Sequence, residues 1–174
     1  MVPNLSLNPG ASFVRPLRSV HRKIVEFREV TPADVPSLFY VRISTRENGY
    51  TLEELAGLGI TEKTVIEKLS SSFKGWLCQF DDLVVGFCIA DRGTGELWVI
   101  AVLPDFERKG VGNRLMALAE EWLWASGCNR AWLTTDVDTK LRAYGFYRNR
   151  GWVDWKVENG LRWMQLFPPR TTSP

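Results

Sequence analysis

The run Leu103-Pro104-Asp105-Phe106-Glu107-Arg108-Lys109-Gly110-Val111-Gly112-Asn113-Arg114 sets two glycines one residue apart, directly behind two cations and at the start of a helical pattern. Glycine lets the main chain approach a ligand closely. The first turn of a helix also carries N–H groups with no intrahelical partner, and the helix dipole adds positive potential, so such a junction stabilises a phosphate or diphosphate. Each charge-assisted hydrogen bond there contributes about 1.5 to 3 kcal/mol net. A Walker A loop is excluded, because Lys109 precedes Gly110 and Asn113 follows Gly112, where Gly-Lys-Ser or Gly-Lys-Thr would be needed. A dinucleotide fingerprint is excluded as well, since Leu115 stands where a third Gly or Ala belongs and no βαβ unit precedes it. His21 is the sole histidine and comes before any structural pattern, which removes Ser-His-Asp, Cys-His and His-based zinc chemistry.

The elements that must position this junction are legible around it. Ile24 to Val30 alternates as a first strand would, and Thr31-Pro32-Ala33-Asp34 supplies an N-cap, a proline at the first helical position and an acidic first turn. Thr51-Leu52-Glu53-Glu54 and Thr61 open two further short helices. From Trp76 to Asp91 two strand-like runs flank Asp81-Asp82, and Glu96 to Leu103 follows Gly93 to Gly95 as a third, giving an antiparallel meander. Val111, Leu115, Leu118, Ala119 and Trp122 mark one face of a helix that Gly127 ends. A strand over Ala131 to Val137, a helix over Leu141 to Arg150 and a hairpin from Trp152 to Phe167 about Asn159-Gly160 complete the pattern.

Glu107-Arg108-Lys109-Gly110-Val111-Gly112 resembles the signature of the GCN5-related N-acetyltransferase (GNAT) family: Gln or Arg, two residues, Gly, one residue, then Gly or Ala. A second landmark of that family, Phe-Tyr, three residues, then Gly and an aromatic, is matched by Phe146-Tyr147-Arg148-Asn149-Arg150-Gly151-Trp152. The resemblance spans residues 24 to 167 and implies an α/β (α+β) fold with a mixed, mostly antiparallel sheet flanked by helices, of the acyl-CoA N-acyltransferase kind. It implies acetyl-CoA as cosubstrate and a primary amine, small or on a protein, as acceptor. The cosubstrate would lie in a cleft where the strand Glu96 to Leu103 diverges from the strand Ala131 to Val137, its diphosphate on the main chain of Arg108, Lys109, Gly110, Val111, Gly112 and Asn113 and its pantetheine arm paired with Ile100, Ala101 and Val102. Tyr147 falls where the family often assists the departing thiolate, and Glu96 where some histone-type members place their base. Two residues depart from the pattern: Glu107 brings a carboxylate toward the diphosphate unless it points away or pairs with Arg108 or Arg114, and Lys140 stands where many members carry an Asn that fixes the cofactor arm.

Each role has a plainer counterpart. Tyr147 also reads as a helix residue packing on the sheet, Glu96 as an exposed carboxylate at a strand start, and Asp136 and Asp138 as weaker substitutes for the base. An ordinary phenol near pKa ~10 facing a thiol near ~8.5 puts full proton transfer uphill by about 2 kcal/mol, so hydrogen bonding to the thiolate competes with general-acid catalysis. Trp98, Trp122 and Trp132 read as core, while Trp152, Trp155 and Trp163 are candidates for the wall of an acceptor pocket. Glu47, Glu53 and Glu54 would draw a cationic acceptor, or simply cap a helix.

Hydrophobic residues make up 45% and charged residues 24% of the 174 residues, as expected of one folded domain, here residues 24–167 between irregular tails at 1–23 and 168–174. No apolar run approaches the ~20 residues of a membrane span. Cys78, Cys88 and Cys128 are odd in number and set among apolar neighbours, which points to a reducing, cytoplasmic setting without disulfides. The net charge of +2 argues against nucleic acid as the main partner, although Arg108, Lys109, Arg114, Arg142, Arg148 and Arg150 leave that reading open. The terminal hairpin is a candidate homodimer surface. The expectation is therefore an acetyl-CoA-dependent N-acetyltransferase without a metal, against a non-catalytic acyl-CoA-binding or interaction module of the same fold.

Overall fold

A computed structural model describes residues 24–47 and 49–169. The expected tail at 1–23, His21 within it, and the last residues of the 168–174 tail lie outside the described residues. Along the chain the order is β1 (Val25–Glu29), α1 (Val35–Ile43), α2 (Leu52–Gly57), α3 (Glu62–Leu69), β2 (Phe73–Phe80), β3 (Leu83–Asp91), β4 (Glu96–Val102), α4 (Val111–Ala125), β5 (Ala131–Asp136), α5 (Arg142–Asn149), β6 (Val153–Glu158) and β7 (Leu161–Leu166).

Local chemistry sets the boundaries. The Thr51 hydroxyl accepts from the Glu54 N–H at 3.1 Å while the Glu54 carboxylate accepts from the Thr51 N–H at 2.8 Å, a closed capping box at the start of α2. Asp34 accepts from the Thr31 N–H and from both guanidinium nitrogens of Arg28, tying the entry of α1 to β1. Asn159 and Gly160 both take positive φ, 53° and 75°, as a type I′ turn demands.

The seven strands form one sheet in the order β1-β2-β3-β4-β5-β7-β6. Every neighbouring pair is antiparallel except β4 with β5, which run parallel and share a single register pair, Glu96 with Trp132. All of β3 but Leu83 is buried, because helices cover both faces of this central strand, α4 on one side and α1 on the other. Leu77, Cys78, Val85, Cys88, Leu115, Met116 and Leu123 form the middle of that core. The three cysteines are free. Among the described residues no helix is long and apolar enough to cross a membrane, and no three metal-ligating side chains come together.

Candidate active site

Beyond the single rung at Glu96 the strands β4 and β5 part, and the gap opens into a cleft of about 690 Å³. Leu97 to Val102 form one wall and Leu133 to Thr135 the other, with the glycine junction and α5 closing the sides. The Leu103 N–H donates to Val85 of β3 at 2.8 Å. Strand alternation then turns Ala101 toward β3, and the main-chain groups of Ile100 and Val102 toward the cleft.

At the glycine junction, Gly110 is the N-cap of α4 with φ 83° and no side-chain cap, and Arg108 also has positive φ, 58°. The first N–H of α4 to find an acceptor within the helix is that of Arg114, on the Gly110 carbonyl at 3.0 Å. The N–H groups of Val111, Gly112 and Asn113 therefore lack intrahelical partners, as an anion cradle requires. A Cβ at Gly112 would stand 3.4 Å from the Phe146 ring, between it and Val102, at the cleft wall. Arg150 holds Asn113 by donating to its carbonyl at 3.1 Å and to its Oδ1 at 3.2 Å.

Of the residues singled out from sequence, Ile100, Ala101, Val102, Arg108, Gly110, Gly112, Asn113 and Tyr147 all border the cleft. Lys109 and Val111 do not: the Lys109 ammonium lies over the Phe106 ring at 5.2 Å, and the Val111 side chain is buried in the core. Glu96 is not brought to the cleft wall either. It sits at the closed end of β4, opposite Asp91, where burial and then Asp91 push its carboxyl pKa up while Lys68 opposes them.

Tyr147 packs against Phe146 and Trp152, with ring centroids 5.5 and 6.3 Å away. Burial above all, and then Cys88, raises its phenol pKa well beyond the ordinary range, with Arg42 acting the other way. The phenol thus remains a protonated hydrogen-bond donor at neutral pH.

Glu107 is paired, although with neither neighbouring arginine. Its two carboxylate oxygens receive both terminal nitrogens of Arg142 at 2.6 and 2.5 Å, a fork-to-fork contact between the glycine junction and the first residue of α5. The Arg142 N–H in turn donates to Glu47, so the three residues link three sides of the cleft.

The remaining carboxylates and tryptophans divide between the readings the sequence offered. Glu54 caps α2 and Glu53 is exposed, neither bordering the cleft. Asp136 and Asp138 accept from main-chain N–H groups in the turn after β5. Trp152 is fully buried, donating to Glu120, and Trp163 stacks on Trp132 instead of lining a cavity. Trp98, read as core, is the tryptophan that borders the cleft. Arg142, Arg148 and Arg150 are all engaged within the fold, which weakens the polynucleotide reading.

Sequence reasoning missed Arg42, which also borders the cleft. Its signal was present: Leu38, Phe39 and Arg42 share one helical face, so a cation continues an otherwise apolar stripe.

The model of the acetyltransferase (GNAT) family matches residues 44–152. The chain belongs to that family. Among solved structures, this GNAT chain is similar to the PaiA N-acetyltransferase of Thermoplasma acidophilum, in complex with coenzyme A, at TM-score 0.73 and 16% identity over 83% of this chain and 99% of that one. It is similar also to the ribosomal-protein-S18-alanine N-acetyltransferase of Escherichia coli, at TM-score 0.65 and 16% identity over 87% and 99%. Nourseothricin acetyltransferase matches at TM-score 0.62 and 17% identity over 83% and 99%. At such identities the likeness concerns the fold. No curated protein sequence matches the GNAT chain significantly.

Proposed function

We propose that this GNAT protein is an N-acetyltransferase that moves an acetyl group from acetyl-CoA to a primary amine, with residues 24–167 as the transferase domain. The observation that carries the reading is the parting of β4 from β5 next to an uncapped, glycine-lined helix start. The N–H groups of Val111, Gly112 and Asn113 receive the diphosphate, with Arg108 adding charge at the rim. Ile100 and Val102 pair with the amide-bearing arm of the cosubstrate as a missing strand would, and so fix the thioester in the gap.

Acetyl-CoA supplies the activated acetyl group; the chain supplies position and polarity. Main-chain N–H groups of β4 stabilise the developing oxyanion. The amine nitrogen bonds to the carbonyl carbon, the carbon–sulfur bond breaks, and the sulfur leaves as a thiolate that accepts a hydrogen bond from Tyr147. With the phenol pKa raised, proton transfer to sulfur is further uphill than for a free tyrosine, so Tyr147 stabilises the leaving group as a donor. Because Glu96 does not border the cleft, the proton that the ammonium loses before attack and the one that the new amide nitrogen then sheds both leave to solvent through the open mouth.

The test is calorimetric titration with acetyl-CoA, together with thiol release over a panel of primary amines. Wild type is expected to bind saturably and turn over. Gly112→Val, which fills the cradle, is expected to lose at least about 100-fold in affinity while keeping its fold. Equal binding by wild type and Gly112→Val removes the cradle, and saturable binding without turnover on any amine leaves a binding module.

A further inference from the structure

Behind the cleft lies a second hollow of about 140 Å³, walled by α1, α2, α3, β3 and β4. Trp98 and Val99 border both spaces, so the hollow adjoins the acetyl-transfer gap along β4. Val99 pairs with Ile89 and Leu97 with Ala90, which leaves Trp98 as an extra residue without a partner in register. In a regular strand, successive side chains face opposite ways; the bulge brings two consecutive side chains to the border of one hollow. The Phe73 ring stands nearly perpendicular to that of Trp98 at 5.7 Å, and the Lys68 ammonium lies 5.3 Å from the indole centre, so Trp98 is packed into a fixed wall.

Size and lining restrict the occupant. An apolar cavity of about 150 Å³ takes up one benzene ring, so this hollow suits a single ring or a branched aliphatic group. Nine of the twelve residues that line it have hydrocarbon side chains, Leu38, Leu55, Phe87 and Ile89 among them, and among the described residues no carboxylate joins the lining. Beside Trp98, the other members are Arg42 and Tyr50, which contact each other with the guanidinium 4.7 Å from the ring centroid. A second cation carried by an acceptor would lose its hydration here and meet no anion in return. The carboxylates expected to attract a cationic acceptor stand elsewhere: Glu53 and Glu54 at the cap of α2, Glu47 on the Arg142 N–H. That last contact, at 3.3 Å, bridges the cleft from the segment after α1 to the start of α5, which favours a compact acceptor over a polypeptide.

We propose that the acceptor is a small primary amine bearing one apolar group about the size of a benzene ring, an arylalkylamine or a branched alkylamine, with that group in the hollow and the nitrogen in the transfer gap. The inference rests on the acetyltransferase reading above and gives that reading its substrate class. Only the border at Trp98 and Val99 lies between the two spaces, so a short linker joins nitrogen to ring. Seating the hydrocarbon there also strips water from the neighbouring ammonium, and desolvation favours its neutral, nucleophilic form in a cleft where Glu96 supplies no base. The products are the N-acetyl amine and coenzyme A, by the step given above.

The experiment compares kcat/KM for phenethylamine, isopentylamine, ethylamine, 2-(2-naphthyl)ethylamine, spermidine and a peptide with N-terminal phenylalanine, with calorimetry of acetyl-CoA run alongside. Phenethylamine and isopentylamine are expected to exceed ethylamine by about 10- to 100-fold, as burial of one apolar group implies. The naphthyl amine should fall about tenfold below phenethylamine, because two fused rings overfill the space. Leu58→Trp, at an exposed edge of the hollow, should cut the ratio of phenethylamine to ethylamine about tenfold. Ile60→Ala, which widens the hollow, should raise the naphthyl amine about tenfold relative to phenethylamine. Both variants should keep acetyl-CoA affinity within about threefold of wild type, which also reports that they fold. Independently of turnover, N-acetylphenethylamine should raise Tm and quench tryptophan fluorescence, and N-ethylacetamide should do so far less. Equal rates for phenethylamine and ethylamine, a preference for spermidine or the peptide, size ratios unmoved in both variants, or acetyl-CoA binding with no response to the apolar amines in turnover, Tm or fluorescence overturns the inference. Failure to bind acetyl-CoA at all overturns the transferase reading beneath it.

Discussion

The phenol of Tyr147 and the carboxylate of Glu107 show how far a residue's chemistry depends on its surroundings. Buried beside Cys88, the phenol holds its proton as pH rises, so ionisation of Tyr147 should cause no loss of activity below about pH 10. Tyr147→Phe removes one donor to the leaving thiolate. It should lower kcat by about 10- to 100-fold and leave the KM for acetyl-CoA within threefold, measured by steady-state thiol release. Glu107 looks hostile to a diphosphate until Arg142 is seen to clasp both its oxygens. Arg142→Gln strands that carboxylate at the cradle and should weaken acetyl-CoA about tenfold, because the pair is partly exposed and worth about 1 kcal/mol. Glu107→Gln in the same chain should recover most of the loss; calorimetry on the two single variants and the double variant checks the sign. No spacing rule reveals this pair, since 35 residues separate its members. The cations beside Glu107 in sequence, Arg108 and Arg114, made the more local partners and are not the ones used.

At the scale of elements, the helix starts, turns and glycine junction were readable because their signals lie within a few residues: Thr51 with Glu54, Asn159 with Gly160, Gly110 at the N-cap of α4. Irregularities that arise between strands were not. The bulge that leaves Trp98 unmatched is a property of the β3–β4 register, and Trp98 borders the cleft while packing against the core as expected. The coupling of α4 to α5 was equally hidden. Glu120 is nearly buried and receives Arg150 together with the Trp152 indole N–H at 3.0 Å, while the same Arg150 grips Asn113 at the cradle. Arg150→Met leaves the carboxylate without its cation and should cost about 3 kcal/mol in urea unfolding. Restoring neutrality with Glu120→Gln should recover part of that stability, yet acetyl-CoA affinity should stay reduced, because the hold on Asn113 is gone.

For the whole molecule, the order of elements and the mixed sheet were legible in the sequence, whereas the place where the sheet comes apart was implied by the family resemblance alone, since strand length and alternation say nothing about which neighbours separate. Acid stability is a property of the same assembled state. Two hydrogen bonds from Arg28 and one from the Thr31 N–H hold the Asp34 carboxyl pKa well below its usual value, across the junction of β1 and α1. A depressed carboxylate adds stability above its unfolded pKa near ~4 and loses it as pH falls further. Asp34→Asn should therefore cost about 2 kcal/mol at pH 7 and flatten the loss of stability below about pH 4, followed by urea unfolding at a series of pH values. The lone rung between β4 and β5 has a broader effect. It divides the sheet into two blocks, β1 to β4 and β5 to β7, joined along that seam by one register pair. On the function proposed, occupancy by acetyl-CoA at about 100 times its Kd adds about 2.7 kcal/mol to the folded state, so the survival of this chain against proteases would rise and fall with the metabolic supply of its own acyl donor.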